Sequence, residues 1–185
     1  MVAQVMPLDR PAEESARALP GQNSDYFARD PATLGVIEEV ERYHLSEDNF
    51  WRNYRDGHLE YARNDLIFTL RWLPNHPRAL YLMESICAQM GRAEDAIPYY
   101  EKAVTRFPQH AYTRAQYGAF LIRLGAREVG IQELRTAIAA DSTLVQARAW
   151  LQEALIRRAP PGGDALPRGS GGGARTGRGN RPGTP

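Results

Sequence analysis

Residues 91–125 read GRAEDAIPYYEKAVTRFPQHAYTRAQYGAFLIRLG, a stretch that begins and ends with glycine. Together with Gly57, these glycines stand 34 residues apart each time. Small residues follow the same step at 62, 96 and 130, and large apolar residues follow it at 66, 100 and 134. Prolines stand at 74 and 108. Several matching series in one register indicate an internal repeat.

The repeat predicts pairs of helices that meet at the glycine. Glycine adopts the left-handed conformation that ends a helix and turns the chain. The small residue near the start of the second helix lets that helix approach the first closely. The large apolar residue four positions later lies on the same face and fills the space between the helices. One pair cannot cover its own apolar face, so pairs must stack, and roughly three are needed for stability.

Apolar residues keep a helical period of about 3.6 through the middle of the chain, and no stretch alternates for long enough to form a strand. Asp30-Pro31 predicts the start of a helix over 31–43, and Ser46 predicts the start of another. Residues 143–158 have the composition of a final capping helix, with Ala147, Leu151, Ala154 and Leu155 on one face. We therefore predict an all-α domain over residues 31–158.

The skeleton Ala96-x-x-x-Tyr100…Pro108, with its inter-helix glycine, resembles the tetratricopeptide repeat (TPR) family, as found in small bacterial TPR proteins. The resemblance implies a right-handed superhelix of stacked antiparallel helix pairs, an α-solenoid. It places repeats at about 43–76, 77–110 and 111–144, followed by the capping helix over 143–158. The first repeat departs most from the family pattern, through Thr69 and the polar helix 46–56.

The two ends of the chain differ from the middle in composition. Prolines and a glycine interrupt residues 1–30, which we predict to be a flexible arm. Residues 159–185 contain nine glycines and five prolines. A segment of this composition cannot bury enough apolar surface to offset its ordering entropy, so we predict a disordered tail. Its Arg-Gly pairs resemble RNA-binding segments, but the tail has no aromatic residue to stack on bases.

The amino-acid composition disfavours several classes of protein. The net charge of +1 disfavours a surface devoted to nucleic acid. A single cysteine, Cys87, excludes an intrachain disulfide, and the four histidines are too scattered for a metal site. No serine, cysteine or histidine arrangement suggests a catalytic centre, and no motif calls for a cofactor. We predict that the protein is not an enzyme.

The location is predicted from the start of the chain and from its hydropathy. No apolar run approaches the roughly 20 residues of a spanning helix, so we predict no membrane span. The first residues as written lack a signal peptide, which predicts a cytoplasmic protein. Residues 65–80 resemble a segment of small exported proteobacterial repeat proteins. The bacterial periplasm therefore remains open if the true start lies upstream.

The resemblance implies a concave groove, lined by the first helix of each pair, that binds a peptide or helix of a partner. Helical spacing then selects the side chains that share this face. The family's Lys and Asn clamp for a C-terminal carboxylate is absent, so the resemblance does not support co-chaperone work with heat-shock proteins. An alternative for Trp51 and Tyr54 is that they cover helix 31–43. The candidate groove residues are Trp51, Tyr54, Arg55, Arg78, Tyr81, Ser85, Gln89, Tyr112, Ala119, Arg123 and Trp150.

We predict a non-catalytic scaffold that binds a protein segment of unknown identity. Aromatic and arginine side chains dominate the energetics of protein interfaces, and the candidate groove is rich in both. Arg55, Arg78 and Arg123 favour an amphipathic or partly acidic ligand. Two alternatives remain open: a nucleic-acid-associated protein that uses the Arg-Gly tail, and an oligomerisation module that pairs through an edge of the stack.

Overall fold

The computed structural model describes residues 21–156, and over this range the chain contains helices and no strand. The prediction of an all-α chain is thus confirmed for these residues. A π-helical turn at Glu47–Trp51 precedes the helix that begins at Arg52, and a 3₁₀ turn at Ala93–Ala96 precedes the helix that begins at Ile97. The helices are α1 (Pro31–His44), α2 (Arg52–Arg55), α3 (Leu59–Trp72), α4 (Pro77–Gln89), α5 (Ile97–Arg106), α6 (Ala111–Arg123), α7 (Arg127–Ala140) and α8 (Val145–Ile156).

Side-chain caps explain where several helices begin. The Asp30 side chain accepts a hydrogen bond from the amide of Thr33, and Pro31 occupies the first helical position of α1. Ser46 accepts a hydrogen bond from the amide of Asn49. His76 plays the same part for α4, where its Nδ1 accepts a hydrogen bond from the amide of Ala79. The two predicted helix starts are therefore confirmed.

The three repeated glycines lie at matching bends. Gly57, Gly91 and Gly125 have φ values of 77°, 70° and 92°, in the left-handed region that other residues avoid. Gly57 precedes α3, Gly91 separates α4 from α5, and Gly125 separates α6 from α7. The 34-residue spacing therefore marks three equivalent turns, as the sequence predicts.

The small residues of the repeat allow close contact between helices. Ala62 and Ala96 are fully buried. At Gly130 the contact is tighter, because a Cβ atom there would lie 2.5 Å from the carbonyl oxygen of Gly118. The large residues four positions later, Leu66, Tyr100 and Leu134, are all buried.

Helices of neighbouring pairs also contact one another: α4 packs against α6, and α6 packs against α8. One core cluster joins α3, α4 and α5 through residues such as Leu66, Met83 and Tyr100. A second joins α6, α7 and α8 through Ala115, Leu134 and Ala147, among others. Burial is therefore shared across successive helix pairs. Among residues 21–156, no helix has both the length and the apolar character needed to cross a membrane.

The prediction of a flexible arm over residues 1–30 is wrong for residues 21–30, which pack against the turns of the repeats. The amide of Ser24 donates a hydrogen bond to the carbonyl of Trp72 (2.8 Å), and the amide of Tyr26 donates one to Oδ1 of Asn75 (2.9 Å). Arg106 donates to the carbonyl of Asn23 (3.3 Å). The turns after α3 and α5 thus hold the segment. Residues 1–20, and the predicted tail 159–185, lie outside the described residues.

Two histidine–carboxylate contacts lie at these turns, one with residues 21–30 and one with α1. His76 Nε2 lies 3.0 Å from Oε1 of Glu41 on α1, and His110 Nε2 lies 2.6 Å from Oδ2 of Asp25. Tyr26 packs on the ring of His76, with centroids 4.4 Å apart. Both histidines stand at turns between helix pairs.

The carboxylates in these contacts are more acidic than usual. Burial raises the pKa of Asp25, but hydrogen bonds from His110, Asn75 and the Phe27 amide outweigh it and hold the pKa below its ordinary value. The hydrogen bond with His76 is the main reason that the pKa of Glu41 is also lowered. The ionised forms of both side chains therefore stabilise the folded chain.

Replacing Gly91 by alanine is expected to lower the free energy of unfolding by about 1–2 kcal/mol, because φ is 70° there. A Cβ at Gly91 would meet no atom within 4 Å, so the cost is conformational. Gly35→Ala is the matched control, since Gly35 lies in α1 with equally open space. Urea denaturation should show that Gly35→Ala leaves stability unchanged or raises it by about 0.5–1 kcal/mol. Equal effects of the two substitutions would contradict the left-handed bend.

Acid should weaken the attachment of residues 21–30. Because the pKa of Asp25 is lowered on folding, its contribution is complete above the unfolded pKa of about 3.9 and is lost as pH falls through the folded value. Asp25→Asn should cost about 1–2 kcal/mol at pH 6, and this difference from wild type should shrink between pH 5 and 3. Urea denaturation across this range measures both curves. Asp48→Asn, a change at a carboxylate 95% exposed, is the control and should cost nothing measurable; a similar curve for both variants would contradict the role of Asp25.

Candidate binding groove

An open groove of about 420 Å³ lies between α4, α6 and α8, with a side chain of α5 among its lining residues. We call it the central groove. Its lining is mostly aromatic and basic. The residues are Pro77, Arg78, Tyr81, Tyr100, Tyr112, Gln116, Arg123 and Trp150.

Five of the eleven predicted residues meet in the central groove. They come from three helices that are separate in the sequence. The cap at His76 starts α4 at Pro77, which places Arg78 and Tyr81 one turn apart on one face. Tyr81 is 55% exposed, so most of its ring is available for contact. The five residues are Arg78, Tyr81, Tyr112, Arg123 and Trp150.

A buried acid holds one of the groove arginines. Glu84 on α4 is only 6% exposed. Its two carboxylate oxygens accept hydrogen bonds from Nη2 of Arg123 at 2.7 and 2.9 Å. The hydroxyl of Tyr100 donates a further bond to Oε2 at 3.0 Å. Arg123, itself half exposed, is therefore fixed in orientation at the edge of the groove.

Tyr100 is a permanent hydrogen-bond donor in this network. Its ring is buried, and burial is the main reason that the pKa of its hydroxyl lies well above the ordinary value. The neighbouring charge of Glu84 raises the pKa further. The hydroxyl therefore stays protonated and donates to Glu84.

Arg78 is held by an aromatic ring. Its guanidinium carbon lies 5.1 Å from the centroid of Trp51, within the range of a cation–π contact. No carboxylate among residues 21–156 lies within ion-pair distance of Arg78. The charge of Arg78 nevertheless contributes to the lowered pKa of Glu41, an acid that does not line the groove.

Trp51 and Tyr54 lie beside the groove and do not line it. Both pack against the core cluster that contains Phe50. The ring of Trp51 meets Phe50 edge-on at 4.8 Å. Trp51 thus contributes through Arg78, because its ring sets the position of that guanidinium.

The other four candidates are held elsewhere. Nη1 of Arg55 lies 2.7 Å from Oε2 of Glu47, near the exposed start of the first helix pair. Gln89 donates a hydrogen bond to the hydroxyl of Tyr54 (2.8 Å), and Ser85 donates one to the carbonyl of Tyr81 (3.0 Å). Ala119 is 4% exposed and lies in the core. None of the four lines the central groove.

Sequence reasoning missed Gln116, Tyr100 and Glu84 as residues in or next to the groove. Gln116 stands one helical turn after Tyr112, so the same spacing argument could have found it. Tyr100 was assigned only to the core of its repeat. Glu84 gave a different signal, an acidic residue within the apolar run of α4, which is typical of a buried acid that has a partner.

Gln116 is buried yet only partly satisfied. It is 8% exposed, and its Nε2 donates a hydrogen bond to the carbonyl of Pro77 at 3.1 Å. Its Oε1 is buried and accepts no hydrogen bond from any of residues 21–156. Gln116 lines the central groove, but this oxygen itself has almost no accessible surface, a state it shares with Oγ1 of Thr113.

A second, smaller groove of about 160 Å³ lies between α1 and α3. His44 at its edge stacks on Phe68, with ring centroids 3.9 Å apart, and contacts Oδ1 of Asp65 at 3.0 Å. This groove is lined by aromatic and aliphatic residues, and none of them is a predicted site residue. Its lining is Val36, Glu39, Val40, Tyr43, His44, Phe68 and Trp72.

Among the described residues we find neither a metal-ligand cluster nor an exposed thiol. Within residues 21–156, no group of His, Cys, Asp and Glu side chains could hold a metal ion. Cys87 is 1% exposed, and burial raises the pKa of its thiol, so the thiol stays protonated. The arrangement in the central groove suits non-covalent binding.

No protein-family model matches the chain, and no curated protein shows significant similarity to it.

Removing the buried acid should show how strongly Glu84 supports the groove. Glu84→Ala is expected to lower the free energy of unfolding by about 2–3 kcal/mol, because the buried Tyr100 hydroxyl loses its acceptor. Glu84→Gln should cost about 1 kcal/mol, since an amide oxygen can still accept that bond. Glu128→Gln removes an exposed acid and should change stability by less than about 0.5 kcal/mol in urea denaturation. If Glu84→Ala lowers the free energy of unfolding no more than Glu128→Gln does, the hydrogen bonds of Glu84 do not stabilise the fold.

Proposed function

We propose that the protein is a non-catalytic scaffold that holds a segment of a partner protein in the central groove. The observation that carries the proposal is that Arg78, Tyr81, Tyr112, Arg123 and Trp150 line one groove although they come from three separate helices. We further propose that the helix pairs are TPR-like repeats in a right-handed superhelix. The equivalent glycine bends and the contacts between alternate helices support that arrangement.

The chemistry of the groove favours recognition of a protein segment. Tyrosine, tryptophan and arginine supply most of the energy at protein interfaces, because they offer large rigid surfaces and directed donors. Tyr81 is 55% exposed in the free chain, so a partner that covers it gains apolar burial. Tyr112 and Trp150 are half buried, which fixes their positions before binding.

The partner segment is acidic in this proposal. The guanidinium of Arg78 lies on Trp51 and makes no ion pair among residues 21–156, although its charge contributes to the lowered pKa of Glu41. A carboxylate of the partner completes this site, and Arg123 lies in the same groove. Charge complementarity of this kind sets orientation and specificity more than total affinity.

Selection from a random-peptide display library on the full-length chain tests the proposal. Enriched peptides should carry an acidic residue next to an apolar one. Tyr81→Ala and Tyr112→Ala should each weaken their binding at least about ten-fold, the usual effect of losing a central aromatic contact. The control is Tyr61→Ala, because Tyr61 is 66% exposed and lies outside the groove. Equal losses for all three variants would contradict the assignment of the groove.

The same variants separate the proposal from its alternatives. A chain that ends at residue 158 should bind the selected peptides as tightly as the full chain does. RNA binding that falls steeply with salt and disappears on this truncation, with no peptide selected, would instead assign the function to the Arg-Gly tail. If sedimentation shows that the wild-type chain forms dimers and that Tyr81→Ala does not, the groove serves self-association.

A further inference from the structure

We propose that the smaller groove, between α1 and α3, binds the trimethylammonium group of a small organic cation. The site is separate from the central groove, because the two grooves share no lining residue. The observations behind the proposal are three aromatic side chains and an unpaired carboxylate that line one groove of about 160 Å³.

Two helices supply the aromatic rings. Phe68 and Trp72 stand one turn apart on α3, and their ring centroids are 6.0 Å apart. Tyr43 faces them from α1, one turn after Glu39. Tyr43 is 58% exposed and Phe68 is 37% exposed, so an occupant that enters from solvent can contact both side chains.

Residues 21–30 hold the Trp72 end of the groove in place. The amide of Ser24 donates a hydrogen bond to the carbonyl of Trp72. Gly21 packs so closely that a Cβ atom there would lie 3.1 Å from Val36 and 3.2 Å from the ring of Trp72. The walls are therefore positioned before an occupant arrives, which lowers the entropic cost of binding.

The charges at the groove favour a cation. Glu39 is exposed and makes no ion pair among residues 21–156, whereas its neighbour Glu38 pairs with Arg42. Asp65 lies 3.0 Å from His44 and balances any proton that His44 gains. The described lining contains no arginine or lysine. A carboxylate and the negative faces of aromatic rings attract the same positive charge.

A methylated ammonium suits this lining better than a primary ammonium or a guanidinium. Those two groups carry three and five N–H donors, and donors taken out of water need acceptors. Apart from the carboxylate of Glu39, the lining is mostly aromatic or aliphatic. A trimethylammonium group has no donor to satisfy, and its methyl groups pack against the rings that attract its charge.

The size of the groove limits the occupant. A cavity of about 150 Å³ holds one molecule of the size of benzene. The smaller groove, at about 160 Å³, therefore takes a group of that size. Specific protein partners bury far larger surfaces. The groove can thus account for the binding of a small molecule on its own.

An NMR titration of the full-length chain with choline, at constant ionic strength, tests the proposal. The comparison ligand is the neutral alcohol in which a carbon atom replaces the nitrogen of choline, so that shape is kept and charge is lost. We expect choline to shift the amide signals of Tyr43 and Phe68 and the indole N–H signal of Trp72, with a dissociation constant on the order of 1–10 mM. The neutral alcohol should bind at least about five-fold more weakly, the effect of losing the cation–π contacts. Ethanolamine, which has a primary ammonium, should also bind more weakly than choline.

Matched variants test the lining. Tyr43→Leu keeps an apolar side chain and should weaken choline binding about three- to five-fold, because one ring is lost. Tyr61→Leu is the control, since Tyr61 lies on α3, is 66% exposed and does not line the groove. Glu39→Gln should weaken binding about two-fold, whereas Glu38→Gln should leave it unchanged. Thermal unfolding checks that the variants are folded, and the comparison of ligands on the wild-type chain does not depend on them.

Several outcomes would overturn the proposal. If the neutral alcohol binds as tightly as choline, the groove buries apolar surface and does not recognise a cation. If ethanolamine binds as tightly as choline, the carboxylate acts alone and the rings do not select a methylated group. Equal losses for Tyr43→Leu and Tyr61→Leu, or no choline-induced shifts at the smaller groove, would place any binding elsewhere. None of these results bears on the central groove, whose function is tested by peptide selection.

Discussion

The left-handed bends at Gly57, Gly91 and Gly125 are the constraint on which the rest of the structure depends. Each bend lets one helix end and the next return against it within a few residues. The return is close because a small residue lies near the start of the second helix, most tightly where Gly130 meets Gly118. A side chain at either kind of position would strain the backbone or separate the helices.

The fixed step between bends also builds the groove. Arg78 and Tyr112 stand 34 residues apart, at equivalent places near the starts of α4 and α6. Because α4 packs against α6 and α6 against α8, equivalent positions lie side by side. Side chains that are far apart in the sequence therefore share one surface. The same register that buries Tyr100 brings its hydroxyl to Glu84, so core packing and the groove are joined in one network.

Periodicity made the helices predictable from the sequence, and together with the family resemblance it predicted five of the eight residues that line the groove. It identified Arg78, Tyr81, Tyr112, Arg123 and Trp150, since a helix face is a direct consequence of spacing. It could not show that Trp51 acts through Arg78, because a cation–π contact depends on how two helices meet. The remaining candidates share the helical spacing, but their side chains are used by local partners or by the core.

The attachment of residues 21–30 has no periodic signal. It depends on single contacts such as Asn75 with the amide of Tyr26, and on His110 with Asp25, across 49 and 85 positions of sequence. Proline and glycine in this region suggested flexibility, whereas the acceptors that hold it belong to distant turns. Gln116 was hidden for a related reason, because an unsatisfied atom can be recognised only once its surroundings are known.

We propose that the partner binds in the groove between α4, α6 and α8. Backbone and side-chain NMR shifts, followed as a selected acidic peptide is added to the full-length chain, test it most directly. We expect the largest changes at Arg78, Tyr81, Tyr112, Gln116 and Trp150. Changes confined to the groove between α1 and α3, or to residues 159–185, would contradict it.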